Sequence, residues 1–187
     1  MKHSLAVLFV LSIVCAAHGQ TNVPATPCTL TKAPELHGLR LGMTISEVKA
    51  RLPELIVPAS DEFGFIGSAN IQVSDLSVQS KESLRRISYV HFGFLDGRVI
   101  NLRFEYRTNF SWKNVDEFLS IVINELKLPQ SWVGDNTNKK LVCSDFEVRA
   151  SASEDSASLG FYNPTTDSII KKRQAEKRER LRREFKL

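Results

Sequence analysis

Cysteine is scarce in this chain: there are three in 187 residues, and one of them, Cys15, lies in an apolar run near the start. Histidine is little better represented. Of four, His3 and His18 fall within the first nineteen residues, which leaves His37 and His91. Two histidines far apart, with no cluster of His, Cys, Asp or Glu at ligand spacing, argue against a built-in metal site. The chain also lacks a Walker loop, a Rossmann glycine pattern and a nucleophile-elbow serine motif. No catalytic, cofactor-binding or metal-ligating residue is therefore assigned. The glycine-bearing stretch at 64–68 has no lysine and reads as a loop. Asp61 with Glu62 and Asp116 with Glu117 are adjacent carboxylates. The first pair sits in a loop, the second in a helix's first turn, where acids complement the dipole; neither is set up as a desolvated general acid.

No apolar run is long enough to cross a bilayer comfortably; the longest, 5–17, is too short. It follows the basic Lys2 and precedes Ala17, His18 and Gly19, small residues suited to cleavage before Gln20. Residues 1–19 are read as a secretory signal peptide. The alternatives are an uncleaved anchor and, less well matched, a lipoprotein lipidated at Cys15, where Ile13 and Val14 stand in place of a small residue. The mature chain is then periplasmic or secreted and keeps two cysteines. In an oxidising compartment Cys28 and Cys143 are expected to form one disulfide; two separate buried thiols are the other possibility.

The formal charge of +4 is unevenly spread. Residues 171–187 carry nine Lys and Arg against three Glu, while 20–170 is net acidic. The basicity belongs to the tail, so it is no evidence that the folded body binds nucleic acid.

Residues 20–33, rich in Thr, Pro and Ala, read as an extended lead-in. A single domain over 34–166 follows, then a basic helical tail over 167–187. The best-punctuated element lies within 36–53. Thr44 and Glu47 can form a capping box, and Met43 with Val48 a hydrophobic staple. Gly42 permits a sharp entry, and Pro53 ends the helix early. Residues 54–68 read as connection, and 70–78 as a strand with a bulge near Ser74 and Asp75. The clearest β signal covers 84–107, two runs split by Asp96 and Gly97. A two-residue turn would pair Leu95 with Arg98. A three-residue bulged loop would pair Phe94 with Arg98, and it gathers Val90, Phe92, Phe94, Ile100, Leu102, Phe104 and Tyr106 on one face. We take the latter as the expectation. The other face then carries Tyr89, His91, Asn101, Arg103 and Glu105.

A second helix is expected after Asn114, with Val115, Phe118, Leu119, Val122 and Leu126 as its apolar stripe. Trp112 and Trp132 flank it and read as core-edge packing. Residues 141–150 form the next strand region, with a phase shift between Cys143 and Phe146. Residues 151–156 are a turn, and 157–162 a last strand with Leu159 and Phe161 inward. Residues 168–187 form a charged helix with Glu176–Arg180 and Glu179–Arg183 pairs and Ile169, Ile170, Leu181 and Phe185 as apolar anchors. The expected fold class is α+β: helices packed on one face of an antiparallel sheet, built as two degenerate helix-plus-strands repeats, with a charged C-terminal helix.

Leu41, Gly42, Met43 and Thr44, followed by Glu47 and Val48 and closed by Leu52 and Pro53, resemble the helix start of BamE-like (SmpA/OmlA) envelope proteins and of β-lactamase-inhibitor-like domains. The resemblance implies helices on a small antiparallel sheet and a role in binding other proteins rather than in chemistry. The expected function is an exported, non-enzymatic, protein-binding or envelope-associated domain. Tyr89, His91, Asn101, Arg103 and Glu105 are its candidate interface, since an aromatic, an arginine and a histidine together suit an interface anchor. The plain alternative is a solvated sheet face. Two other functional classes remain open: a hydrolase assembled from scattered residues around His37 or His91, and a binder of anionic membrane surfaces through the tail.

Overall fold

A threonine three residues ahead of a glutamate is a local instruction, and the chain obeys it. The computed structural model describes residues 28–107 and 112–185; the signal-peptide reading and residues 20–27 of the lead-in lie outside them. The Thr44 hydroxyl accepts a hydrogen bond from the Glu47 amide at 3.2 Å, and Glu47 Oε2 accepts from the Thr44 amide at 2.7 Å. This closes the capping box of α1, Ile45–Arg51, a feature that contributes about 1 kcal/mol. Met43 and Val48 are both buried, as the staple requires. Gly42, at φ +81°, makes the left-handed entry that disfavours a side chain.

Seven strands form one antiparallel sheet in the order β1-β2-β3-β7-β6-β5-β4. They are β1 Phe65–Gln72, β2 Ile87–Leu95, β3 Arg98–Tyr106, β4 Val133–Gly134, β5 Asn138–Val142, β6 Glu147–Ser153 and β7 Ser156–Tyr162. The helices after α1 are α2 Val78–Ser83, α3 Val115–Leu126 and α4 Thr166–Glu184. Each half of the chain opens with a capped helix, and its strands run from an outer edge to the middle, where β3 meets β7. That is the arrangement two related helix-plus-strands units would take. Val48 of α1 and Val115, Phe118, Leu119 and Val122 of α3 join the inward residues of the sheet in one core. Asn114 caps α3 by accepting from the Glu117 amide at 3.0 Å, and Lys127 ends it in the left-handed region. The Cys28–Cys143 disulfide is formed.

Several expectations are corrected. The strand read at 70–78 is β1, which begins at Phe65 inside the supposed glycine loop. Its bulge falls between Ile66 and Ala69, not near Ser74. Residues Val73–Asp75 form a 3-10 turn, and Val78 starts α2 with its side chain in solvent. The apolar phase change at Leu76 thus marks the end of the strand. Likewise, the shift between Cys143 and Phe146 is a tight turn joining β5 to β6, closed by the Cys143 amide donating to the Phe146 carbonyl. β6 runs on to Ser153, so the turn read at 151–156 shrinks to the link between β6 and β7.

The hairpin takes the two-residue turn rather than the bulged loop, and beyond the turn it departs from both expected registers. Leu95 faces Arg98 across a two-residue turn whose Asp96 and Gly97 both have positive φ. A bulge at Ile100 then puts Gly93 opposite Asn101, Phe92 opposite Leu102 and Val90 opposite Phe104. The expected partner of Phe92 was Ile100, two residues away. A slip of two leaves every side chain on its face, so the face assignments for these residues stand although the pairing does not. The bulge sits where the outer edge of β3 changes partner. Before it, the Gly42 amide donates to the Val99 carbonyl and the Val99 amide to the Met43 carbonyl, each at 2.8 Å. After it, Asn101 pairs with Tyr162 of β7.

The tail helix α4 docks by polar contacts. Arg173 donates to both carboxylate oxygens of Asp96, at 2.8 and 2.6 Å, and to the Phe63 carbonyl at 2.6 Å. Lys177 pairs with Glu62. Ile169 and Ile170 are half-buried, but Leu181 and Phe185, expected as anchors, are exposed. Glu179 pairs with Arg183 as expected; Glu176 pairs with Lys172 instead of Arg180.

Candidate functional site

Strand alternation sends Val90, Phe92, Leu102, Phe104, Leu159, Phe161, Val148 and Ala150 into the core. The intervening residues form the opposite, solvent-facing surface of the sheet. All five predicted interface residues lie on it. Register aligns them in rows that run across the strands. One row reads Gln72, Tyr89, Glu105, Ser158, Ser151 and Asn138. The next reads Asn70, His91, Arg103, Gly160, Arg149 and Lys140. A third holds Gly93, Asn101, Tyr162 and Glu147.

The β2–β3 part of this surface is tied together by side-chain bonds. The Tyr89 hydroxyl donates to Gln72 Oε1 at 3.0 Å, and its ring stacks on His91 at 6.0 Å between centroids. His91 Nδ1 is 2.8 Å from Asn70 Oδ1. Its Nε2 stands 2.9 Å from Glu105 Oε1, close enough for a charge contact but without hydrogen-bond geometry. Arg103 donates to the same Glu105 oxygen. Its own Nε is buried with no acceptor, and Asn101 Oδ1 is buried with no donor.

The β5–β7 part was not foreseen as a site. Arg149 pairs with Glu147 through Nε and lays its guanidinium 4.5 Å from the centre of the Tyr162 ring. The Ser151 and Ser158 hydroxyls hydrogen-bond to each other at 2.9 Å. Between Arg103 and Arg149 lies Gly160, and a Cβ there would meet the Tyr162 ring at 2.6 Å. The alternation of Glu147, Arg149 and Ser151 with Val148 and Ala150 is visible in the sequence. That these residues adjoin Arg103 depends on β3 pairing with β7, which no local signal announces.

Comparison of the chain with protein-family models, with curated proteins and with solved structures found no match. The site is therefore argued from its own geometry. Neither His37 nor His91 has a serine or threonine hydroxyl as hydrogen-bond partner among the described residues. His37 instead sets its ring against Phe104, 5.8 Å between centroids. No group of three His, Cys, Asp or Glu close enough to hold a metal ion occurs among the described residues. No described helix is long and apolar enough to cross a membrane.

Both histidines are held below their ordinary pKa. Burial is the main cause in each, opposed by Glu125 at His37 and by Glu105 at His91. A group whose pKa falls on folding binds fewer protons in the native state. Its contribution to stability is complete above the unfolded value of 6.5 and is lost as pH falls through the folded value. Melting temperature is therefore expected to fall between pH 7 and pH 5, before the carboxylates titrate. The double variant His37→Asn, His91→Gln should flatten that slope; Asn suits the left-handed backbone of His37 (φ 54°). An unchanged slope would show that the histidines are not responsible.

Proposed function

We propose that this is an exported, non-enzymatic protein that binds another protein through the open face of its sheet. The observation that carries the reading is the set Tyr89, His91, Asn101, Arg103 and Glu105. All five stand on one solvent-facing surface, continued without a break by Arg149 and Tyr162 across the β3–β7 junction. Tyrosine and arginine are the residues that most often dominate binding energy at interfaces. A disulfide suits an oxidising compartment, and the basic, apolar start over 1–19 suits export. The likeness of the Leu41 to Thr44 segment to BamE-like envelope proteins points to the same class.

A crosslinking pull-down from the native envelope tests this. Tyr89→Ala and Arg103→Ala should each reduce recovery of the partner tenfold or more, about 1.4 kcal/mol or above. Neither should lower the melting temperature by more than a few degrees, because both side chains reach solvent. Equal recovery from wild type and both variants would remove the sheet face as the binding site.

A further inference from the structure

We infer that the depression lined by Arg103, Arg149 and Lys140 is the subsite that receives an acidic side chain of the partner protein; this rests on the sheet-face reading above. The cavity is about 400 Å³ and is lined by Arg103, Arg149, Lys140, Ser151, Ser158 and Tyr162 among others, with no acidic residue in its lining. Its size falls within the usual range for a bound ligand group.

Gly160, in the middle of the row, has no side chain, and the Tyr162 ring lies over it and forms one wall of the depression. Arg103 and Arg149 stand on the strands either side of Gly160, so their backbones are roughly 10 Å apart. Both arginines line the depression, so a carboxylate held in it beside the Tyr162 ring is within reach of both guanidinium groups. Each is already oriented by an acid two residues away on its own strand: Glu105 holds Arg103, and Glu147 holds Arg149 through Nε. The terminal nitrogens of Arg149 donate to nothing among the described residues. Lys140 is exposed and has no ion pair. In the Ser151–Ser158 pair one hydroxyl donates and the other keeps its proton for a further acceptor. With each arginine already paired to its own acid, the excess positive charge is that of Lys140, and the terminal Arg149 nitrogens and one serine hydroxyl add donors, which a carboxylate would satisfy by charge-assisted hydrogen bonds.

An extended chain fits better than a free small acid. The depression adjoins two others on the same face. One, about 640 Å³, shares Arg103, Ser151 and Ser158 and reaches Tyr89. The other, about 300 Å³, shares Arg149 and Tyr162 and reaches Asn101. Together they make a trough across the strands with the cationic pocket in the middle.

The test is an amide-resolved NMR titration of the full exported chain with a blocked pentapeptide, acetyl-Ala-Glu-Ala-Glu-Ala-amide, at physiological salt. Its Gln isostere and sodium acetate serve as separate arms. The acidic peptide should shift the amides of Arg149, Gly160 and Tyr162, and the isostere should not. Arg149→Met should weaken binding about tenfold. Gly160→Val, whose side chain would push the Tyr162 ring out of place, should do the same. Arg178→Gln with Arg182→Gln, which removes exposed tail charge, should leave it unchanged. Shifts that are equal for the isostere, confined to α4, insensitive to Arg149→Met, or reproduced by acetate at the same concentration would overturn the inference. If partner recovery in the pull-down is lost in Tyr89→Ala but retained in Arg149→Met, the subsite is wrong and the sheet-face reading stands. Recovery retained in both removes the two together.

Discussion

Phe104→Ala is expected to destabilise the protein by about 3–5 kcal/mol, the range for truncating a fully buried phenylalanine. Phe104 lies on β3, one of the two strands that join the halves of the sheet. It faces Val90 on β2 and Leu159 on β7, both fully buried. Its ring also receives the edge of His37. Removing the ring leaves a void bounded by backbone paired on both sides, which has little freedom to collapse into it. Urea unfolding measures the effect: the midpoint should fall with the slope unchanged. A loss below about 1 kcal/mol would mean that the centre of the sheet is not where the core is anchored. His37 should titrate closer to its ordinary value in this variant, since part of its burial is against the lost ring.

The double variant Cys28→Ala, Cys143→Ala is expected to lose a comparable amount. The bond joins residues 115 apart, and in the chain-entropy account closing a loop of that size stabilises by roughly 4–5 kcal/mol, an upper figure for this chain. The bond links the segment before α1 to the turn between β5 and β6. Without it residues 28–33 are held mainly by half-buried Leu30 and Ala33, while Leu36 and Leu39 further along the segment stay buried in the core. Comparing denaturation of wild type with and without reductant, alongside the double variant, isolates the term. Wild type under reductant should match the double variant. A double variant with the wild-type midpoint would show that the segment is held by its packing alone. The disulfide is also the feature through which compartment governs stability, since a reducing environment would remove it.

Both helices that begin each half were legible because their signals are local. Thr44 with Glu47, and Asn114 with Glu117, act within four residues, and the stripe from Val115 to Val122 repeats at the helical period. The faces of the hairpin were legible for a similar reason. Alternation has a period of two, so Tyr89, His91, Arg103 and Glu105 fell on the open face even with the pairing two residues out. The first half of β1 was missed because Gly64 and Gly67 imitate a loop and a bulge at Gly67 and Ser68 breaks its alternation. The tail was read as anchored by Leu181 and Phe185, whereas two long-range ion pairs, Arg173 to Asp96 and Lys177 to Glu62, hold it. Each of these pairs sits partly in water, where it contributes little alone; the bidentate geometry of Arg173 and its bond to the Phe63 carbonyl set the docking position.

By itself the sequence determined the α+β class, the helix starts and the two faces of the central hairpin, and it singled out Cys28 and Cys143 once residues 1–19 are read as a signal peptide. All of these follow from interactions within a turn of helix, from alternation along one strand, or from simple counting. Only the tertiary structure decided that β3 and β7 are neighbours, that the Leu41 to Thr44 segment clamps the hairpin tip, and that Arg103 and Arg149 line one depression. Those facts depend on which distant strands pair. Backbone hydrogen bonds between strands carry no residue code, so pairing is selected by the packing of the whole core and cannot be read from any one stretch.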